Sequence, residues 1–211
     1  MARGKFITLE GGEGCGKTTQ AAKLRQHLEA LGREIVAVRE PGGTPLGEKA
    51  RTLIKDFTQD PPCDRAELLL FLAARAQLVR NVILPALERG AWVVSDRFSD
   101  STFAYQGAGR GLDAAFLAAA CDFACAGLKP NLTLLLDAPP ETTFARLAKR
   151  QAAEGSGPDR IERESLAFHE RLRRAFLDMA AAEPDRFAVI DASGSPEETW
   201  SGICRSLKRL D

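Results

Sequence analysis

Charge of either sign is not in excess in this chain. Its 211 residues hold 29 Lys plus Arg against 29 Asp plus Glu. A polynucleotide-binding protein gathers positive charge, so that class is disfavoured, and basic residues here act in local groups. Long apolar runs are lacking too: each is broken by a charge within fewer than about 18 residues, too short to span a bilayer. With no signal-like segment before the first predicted strand, a soluble cytoplasmic protein without membrane contact is expected. The five cysteines (15, 63, 121, 125 and 204) are odd in number, scattered, and without metal-ligand pairing. They read as reduced thiols, Cys121 and Cys125 as core residues of an apolar helical stretch. There is no internal repeat and no low-complexity tract. The guanine-reading pattern Asn-Lys-x-Asp is absent. Asp191-Ala192-Ser193-Gly194 fits a switch-like Asp-x-x-Gly but follows the last predicted strand, so a GTP-operated switch is disfavoured.

What is present is a phosphate cradle. Gly11-Gly12-Glu13-Gly14-Cys15-Gly16-Lys17-Thr18-Thr19 follows the apolar stretch Phe6–Leu9 and has P-loop spacing. Glycines let the backbone curl so that several N–H groups face phosphate oxygens. A helix starting at about Gly16 adds the positive end of its dipole. Lys17 is placed for the β- and γ-phosphates and Thr18 for Mg²⁺, so the chain is expected to bind a nucleoside triphosphate.

Apolar strands alternate with helical patterns along the rest of the chain. Strands are predicted at Lys5–Glu10, Glu34–Arg39, Ala91–Ser95, Leu132–Leu136 and Arg186–Ile190. Helices are predicted at Thr18–Leu31, Leu46–Ile54, from Asp64 to about Glu88, Leu112–Gly127, Thr142–Gln151, Ile161–Ala182, and after Ser195. Asp64 with Glu67, and Ser195 with Glu198, are spaced as capping boxes. The pattern predicts one α/β domain over residues 1–211, a five-stranded parallel sheet with helices on both faces.

Ligands in such sheets sit at the carboxyl ends of the strands. Two strands end in aspartate. Asp137, before Ala138-Pro139-Pro140, reads as a turn or cap. Asp96, before Arg97, offers a carboxylate for the metal beside a guanidinium for phosphoryl oxygens. Arg146 and Arg150 share a helix face, and Arg160 and Arg163 follow the loop Glu154-Gly155-Ser156-Gly157-Pro158. They form either a solvated surface or a lid over about 146–163.

The P-loop, Arg39-Glu40-Pro41-Gly42-Gly43-Thr44, Leu70-Phe71-Leu72-Ala73-Ala74-Arg75 and Ser95–Gly107 together resemble the bacterial thymidylate kinase family, and Asp159-Arg160-Ile161-Glu162 resembles its lid. The resemblance covers nearly the whole chain in order. It implies transfer of a phosphoryl group from ATP to dTMP, with Mg²⁺, and a homodimer for which the Asp64–Glu88 helix is the interface candidate. It implies that Lys17, Arg97, Glu13, Arg150 and Arg160 serve catalysis, Glu13 by orienting Arg97. Arg146 and the Asp191 loop belong to the ATP side, the loop beside the adenine. For dTMP it implies stacking by Phe71, donation from Arg75 to the thymine O4, and contacts from Ser101, Thr102 and Gln106. Tyr105 packs on the deoxyribose, and Arg51, or else Arg39, meets the phosphate. The family commonly has tyrosine after its Asp-Arg pair; Phe98 stands there in this chain and lacks the hydroxyl. The rival is a deoxynucleoside kinase, which needs a carboxylate base near a 5′-hydroxyl; Glu40 is the candidate.

Overall fold

The structure is a computed structural model that describes residues 3–55, 60–155 and 157–210; Ser156 of the predicted lid loop lies outside them. Five strands form one parallel sheet: β1 (Phe6–Glu10), β2 (Ile35–Arg39), β3 (Trp92–Asp96), β4 (Leu132–Asp137) and β5 (Phe187–Asp191), in the order β2-β3-β1-β4-β5. Every residue of β1 is buried, as is β4 up to its last, while β2 and β5 at the edges each have two exposed residues. That is what burial of central parallel strands on both faces demands. β1 pairs with β3 on one side and β4 on the other, Leu9 beside Asp96 and Glu10 beside Leu135. The chain runs from β1 to β2 and β3 on one side, then crosses to β4 and β5. The crevice at this reversal of order opens above the end of β1, where the P-loop leaves the sheet.

The helices are α1 (Lys17–Ala30), α2 (Pro45–Lys55), α3 (Asp64–Leu78), α4 (Leu84–Glu88), α5 (Ser99–Thr102), α6 (Ala114–Cys125), α7 (Pro140–Glu154), α8 (Leu166–Ala182) and α9 (Pro196–Leu207). α1 and α9 pack one sheet face around Leu24, Leu28, Leu134, Ile190 and Ile203; α3, α4 and the turn between them reach the other through Leu78, Ile83, Ala86 and Leu87. Cys121 and Cys125 are buried on α6, as expected of core residues.

The sequence expectations need four local corrections. Cys63, not Asp64, is the N-cap of α3 and makes no side-chain cap bond; Glu67 turns inward rather than closing a capping box. α3 and α4 are joined by a π-helical turn, Val79–Ile83, just ahead of Pro85, whose missing N–H disturbs the α-helical ladder. The predicted helix from Ile161 begins only after Ser165, because Asp159 captures the backbone N–H groups of Ile161 and Glu162 and Ser165 caps Phe168. Asp137 is neither turn nor cap: it ends β4 and grips Arg173 through both oxygens at 2.7 and 2.9 Å. By contrast, the Ser195–Glu198 capping box of α9 forms as expected.

Among the described residues, the 25-residue run Asp64–Glu88 is long and apolar enough to cross a membrane by length and composition. Arg75 and Arg80 interrupt it, and its Leu68, Leu78 and Ile83 are core residues of the fold.

Candidate active site

The P-loop wraps the N-terminus of α1. Gly16 is the N-cap, in a left-handed conformation without a side-chain cap, so the first N–H groups of α1 face the loop's concavity. Two further glycines are required there. Gly11 (φ 137°) and Gly14 (φ 74°) have positive φ, and a Cβ would lie 2.5 Å from the Leu136 carbonyl or 2.6 Å from that of Thr143. Lys17 spans the loop, its Nζ donating to the carbonyls of Gly11 (3.0 Å) and Gly12 (2.6 Å). Thr18 Oγ1 donates to Asp96 Oδ2 at 2.9 Å. This hydroxyl–carboxylate pair is a hard-oxygen set that suits Mg²⁺, an ion that takes few protein ligands and completes its shell from phosphate and water.

A cleft of about 1,090 Å³ runs from this loop across β3 to α2 and α3, larger than the ~300–1,000 Å³ of most small-molecule sites. Arg97 sits at its middle. Its guanidinium donates to Glu13 Oε1 (2.8 Å), the Gly11 carbonyl (3.1 Å) and Ser101 Oγ (3.1 Å), and lies 4.9 Å over the Tyr105 ring. The Tyr105 hydroxyl donates to the same Glu13 oxygen at 2.9 Å. Burial works to raise the Glu13 pKa, but Arg97 and then Lys17 outweigh it and hold the carboxyl at about 2. Arg97 also has φ 74°, a left-handed backbone uncommon for a side chain of this size. Such a cost of about 1–3 kcal/mol persists where the surroundings over-determine it.

At the acceptor end, Phe71 and Arg75, one turn apart on α3, line the same wall. Arg75 is buried, pairs with Glu40 at 2.8 Å, and donates to Thr102 Oγ1 (2.9 Å) and the Phe98 carbonyl (3.2 Å). Phe98 has no exposed surface; its ring meets Phe6 edge-on and carries the Arg75 guanidinium 5.5 Å above it. Arg39 and Arg51 both line the cleft. Arg39 is tied to both Glu48 oxygens, whereas Arg51 donates to the Pro41 carbonyl.

Comparisons with known proteins name a family for this chain. The family model described as thymidylate kinase matches residues 9–203. The chain belongs to the thymidylate kinase family. A thymidylate kinase of Chromohalobacter salexigens is 51% identical over 208 residues, covering 98% of this chain and 96% of that protein. One from Citrifermentans bemidjiense is 46% identical over 207 residues, covering 98% and 92%. The crystal structure of thymidylate kinase from Ehrlichia chaffeensis superposes with a TM-score of 0.77 at 30% identity, over 99% of this chain and 100% of that one.

Against the expectations for a thymidylate kinase, the P-loop residues, Asp96, Arg97, Glu13, Arg39, Arg51, Phe71, Arg75, Ser101, Thr102, Tyr105 and Gln106 all lie at the cleft or on the loop that forms it. Arg146 and Arg150 line the cleft as well. Arg146 fixes the loop after β5 through the carbonyls of Ala192, Ser193 and Gly194 at 2.6–2.8 Å. Two residues stand elsewhere. The Asp191 carboxylate caps its own turn by accepting from Ser193, and does not line the cleft. Arg160 turns to Glu67 and the Ile54 carbonyl, because a buried carboxylate outcompetes open solvent for it. Gln106, at the cleft wall, donates through Nε2 to Glu67 Oε1.

Three glutamates were not singled out as site residues from the sequence: Glu10, Glu67, and Glu40 in its observed role as partner of Arg75. Glu10 has the clearest signal, an acidic residue ending an apolar strand. It is fully buried under the Arg97 loop and accepts from Phe98 N–H (2.8 Å), Ser101 N–H (3.3 Å) and Ser101 Oγ (2.6 Å). Burial, reinforced by Asp100 and opposed by Arg97, raises its pKa from 4.5 to about 7. A carboxyl whose folded pKa is raised contributes stability at low pH that is lost as pH rises through the folded value. Urea denaturation should therefore show Glu10→Gln gaining on the wild type between pH 5 and pH 8, by on the order of 2–3 kcal/mol. A difference independent of pH would mean that Glu10 does not titrate in that window.

Proposed function

We propose that this chain transfers the γ-phosphoryl group of ATP to the phosphate of dTMP, giving dTDP. The observation that carries the reading is one cleft with a phosphate cradle at one end, the Phe71 ring and the buried Arg75 on the wall at the other, and Arg97 held between them by Glu13. A phosphate monoester is mostly dianionic near neutral pH and attacks without a general base. The difficulty is bringing two polyanions together, which positioning and fixed positive charge overcome. Lys17 holds the donor phosphates, Arg51 the acceptor phosphate, and Arg97 the oxygens of the group in transit. Phe71 stacks on the base, and Tyr105, fixed by Glu13, packs against a sugar without a 2′-hydroxyl. Of the lid arginines, Arg150 is the better candidate for the transition state, since it lines the cleft while Arg160 does not. Mg²⁺, held by Thr18 and Asp96, would neutralise charge on the phosphates when bound.

A nucleoside kinase would need Glu40 as its base, but that carboxylate is engaged by Arg75. The exposed Leu69, Phe116 and Phe123 lie on α3 and α6, which pack together, and support the reading of a homodimer formed through this face. Free thiols, three of them buried, fit a reducing cytoplasm.

The test is ADP release with ATP, Mg²⁺ and a panel of dTMP, dUMP, dCMP, AMP and thymidine. Fast release with dTMP and little with thymidine is expected. Activity on thymidine alone would move the assignment to a nucleoside kinase, and silence with every acceptor would overturn it.

A further inference from the structure

Glu67 carries a carboxylate into the interior with no exposed surface. Every partner it meets is a donor. Gln106 Nε2 donates to Oε1 at 2.8 Å, Arg160 binds Oε2, and Arg110 Nε lies 3.5 Å from Oε1. A carboxylate flanked by two guanidinium groups offers acceptors only, so the Gln106 amide must present its NH₂. The amide is planar, and its carbonyl then points away from Glu67. Gln106 lines the cleft with Arg75 and Phe71, and no donor among the described residues meets that carbonyl.

We propose that Glu67 is a positioning residue for base selection: by fixing the Gln106 amide, it turns an acceptor toward the base beside Arg75, which has donors only. The inference rests on the pyrimidine-monophosphate reading above and deepens it. Donor beside acceptor complements the O4 and N3–H of thymine or uracil. Cytosine presents the reverse, an amino group and an unprotonated N3, and meets like with like at both points. A free glutamine could answer by turning its amide over. Glu67 removes that answer, because the turned amide would set its carbonyl against a carboxylate. Sites that hydrogen-bond a specific group can reject a mismatched analogue by about 10⁴–10⁵.

The experiment compares kcat/KM for dTMP and dCMP in the wild type and in Glu67→Gln, whose own amide can donate to a turned Gln106. The wild-type dTMP:dCMP ratio is expected to be at least about 10³ and to fall at least about tenfold in the variant, with KM for ATP within about twofold. A purely structural role lowers both substrates alike and leaves the ratio intact; an unchanged ratio in folded protein overturns the inference. Should Glu67→Gln not fold, ¹⁵N NMR of the wild type decides. The Gln106 side-chain NH₂, assigned by its loss in Gln106→Met, is expected to exchange slowly with solvent both free and with dTMP. Fast exchange overturns the proposal. Wild-type protein inactive on all pyrimidine monophosphates would remove this inference and the proposed function together, whereas a selective wild type with an unshifted variant ratio removes this inference alone.

Discussion

Arg97→Ala is expected to lower kcat by at least about 10³, the lower range for an arginine that stabilises phosphoryl transfer. The guanidinium is held from three sides, by Glu13, the Gly11 carbonyl and Ser101, over the Tyr105 ring. Burial works against its charge, but Glu13 and the nearby Tyr105, Glu10 and Asp96 push its pKa well above the ordinary value. It therefore stays a fixed cation that needs no rearrangement as charge develops. Lysine cannot replace it, since a single ammonium does not reproduce a planar fork gripping three acceptors. Arg97→Gly separates chemistry from stability: it should be as inactive as Arg97→Ala, yet melt higher, because glycine accepts φ 74° without strain. Glu13→Ala acts through Arg97 and should cut kcat less, about 10–100-fold, with KM for ATP little changed. Steady-state kinetics with thermal melts check all three. Near-normal turnover in folded Arg97→Ala would refute the role given to this residue.

The features legible in sequence are those carried by local pattern. Apolar runs gave the five strands, and the P-loop spacing placed Lys17, Thr18 and the start of α1 to within a residue. The Asp96-Arg97 pair was visible because both residues are adjacent at a strand end, while Phe71 and Arg75 were marked as site residues by the family resemblance, their four-residue spacing allowing them to share one wall. What escaped depends on long-range pairing. Glu67 looked like a capping residue because its spacing from Asp64 was right; only the fold brings Arg160 from the lid and Gln106 from the segment after α5 to meet it. Arg160 was expected over ATP for the converse reason, since sequence shows a basic lid but not which carboxylate lies beneath it. The turns at 159–165 masked the true start of α8: Asp159 and Ser165 each compete for backbone N–H groups inside an otherwise helical pattern. Glu10 was visible as an acidic residue ending an apolar strand, but only the fold shows it buried under the Arg97 loop rather than solvated.

The other large effect is expected from Arg75→Met, through stability. Arg75 and Glu40 form an ion pair in which both side chains are almost wholly buried, and Glu40 Oε1 has no partner. Burial already raises the Glu40 pKa, and Arg75 is what pulls it down. Removing the guanidinium leaves a buried carboxylate uncompensated, which costs about 3–5 kcal/mol, or roughly 10 °C in Tm for a chain of this size. The loss has a pH signature. Without Arg75 the folded-state pKa of Glu40 rises further above its unfolded value, so the variant keeps more of its stability at pH 5, where Glu40 takes up a proton, and loses it as pH rises toward 8. Glu40→Gln combined with Arg75→Met should recover most of the melting temperature at pH 8, because no charge is then left unpaired. It should not recover kcat/KM for dTMP, since the donor expected to meet the thymine O4 is gone. If the double variant melts no higher than Arg75→Met at pH 8, the destabilisation comes from lost packing around the Arg75 stem, and the ion pair is not its cause.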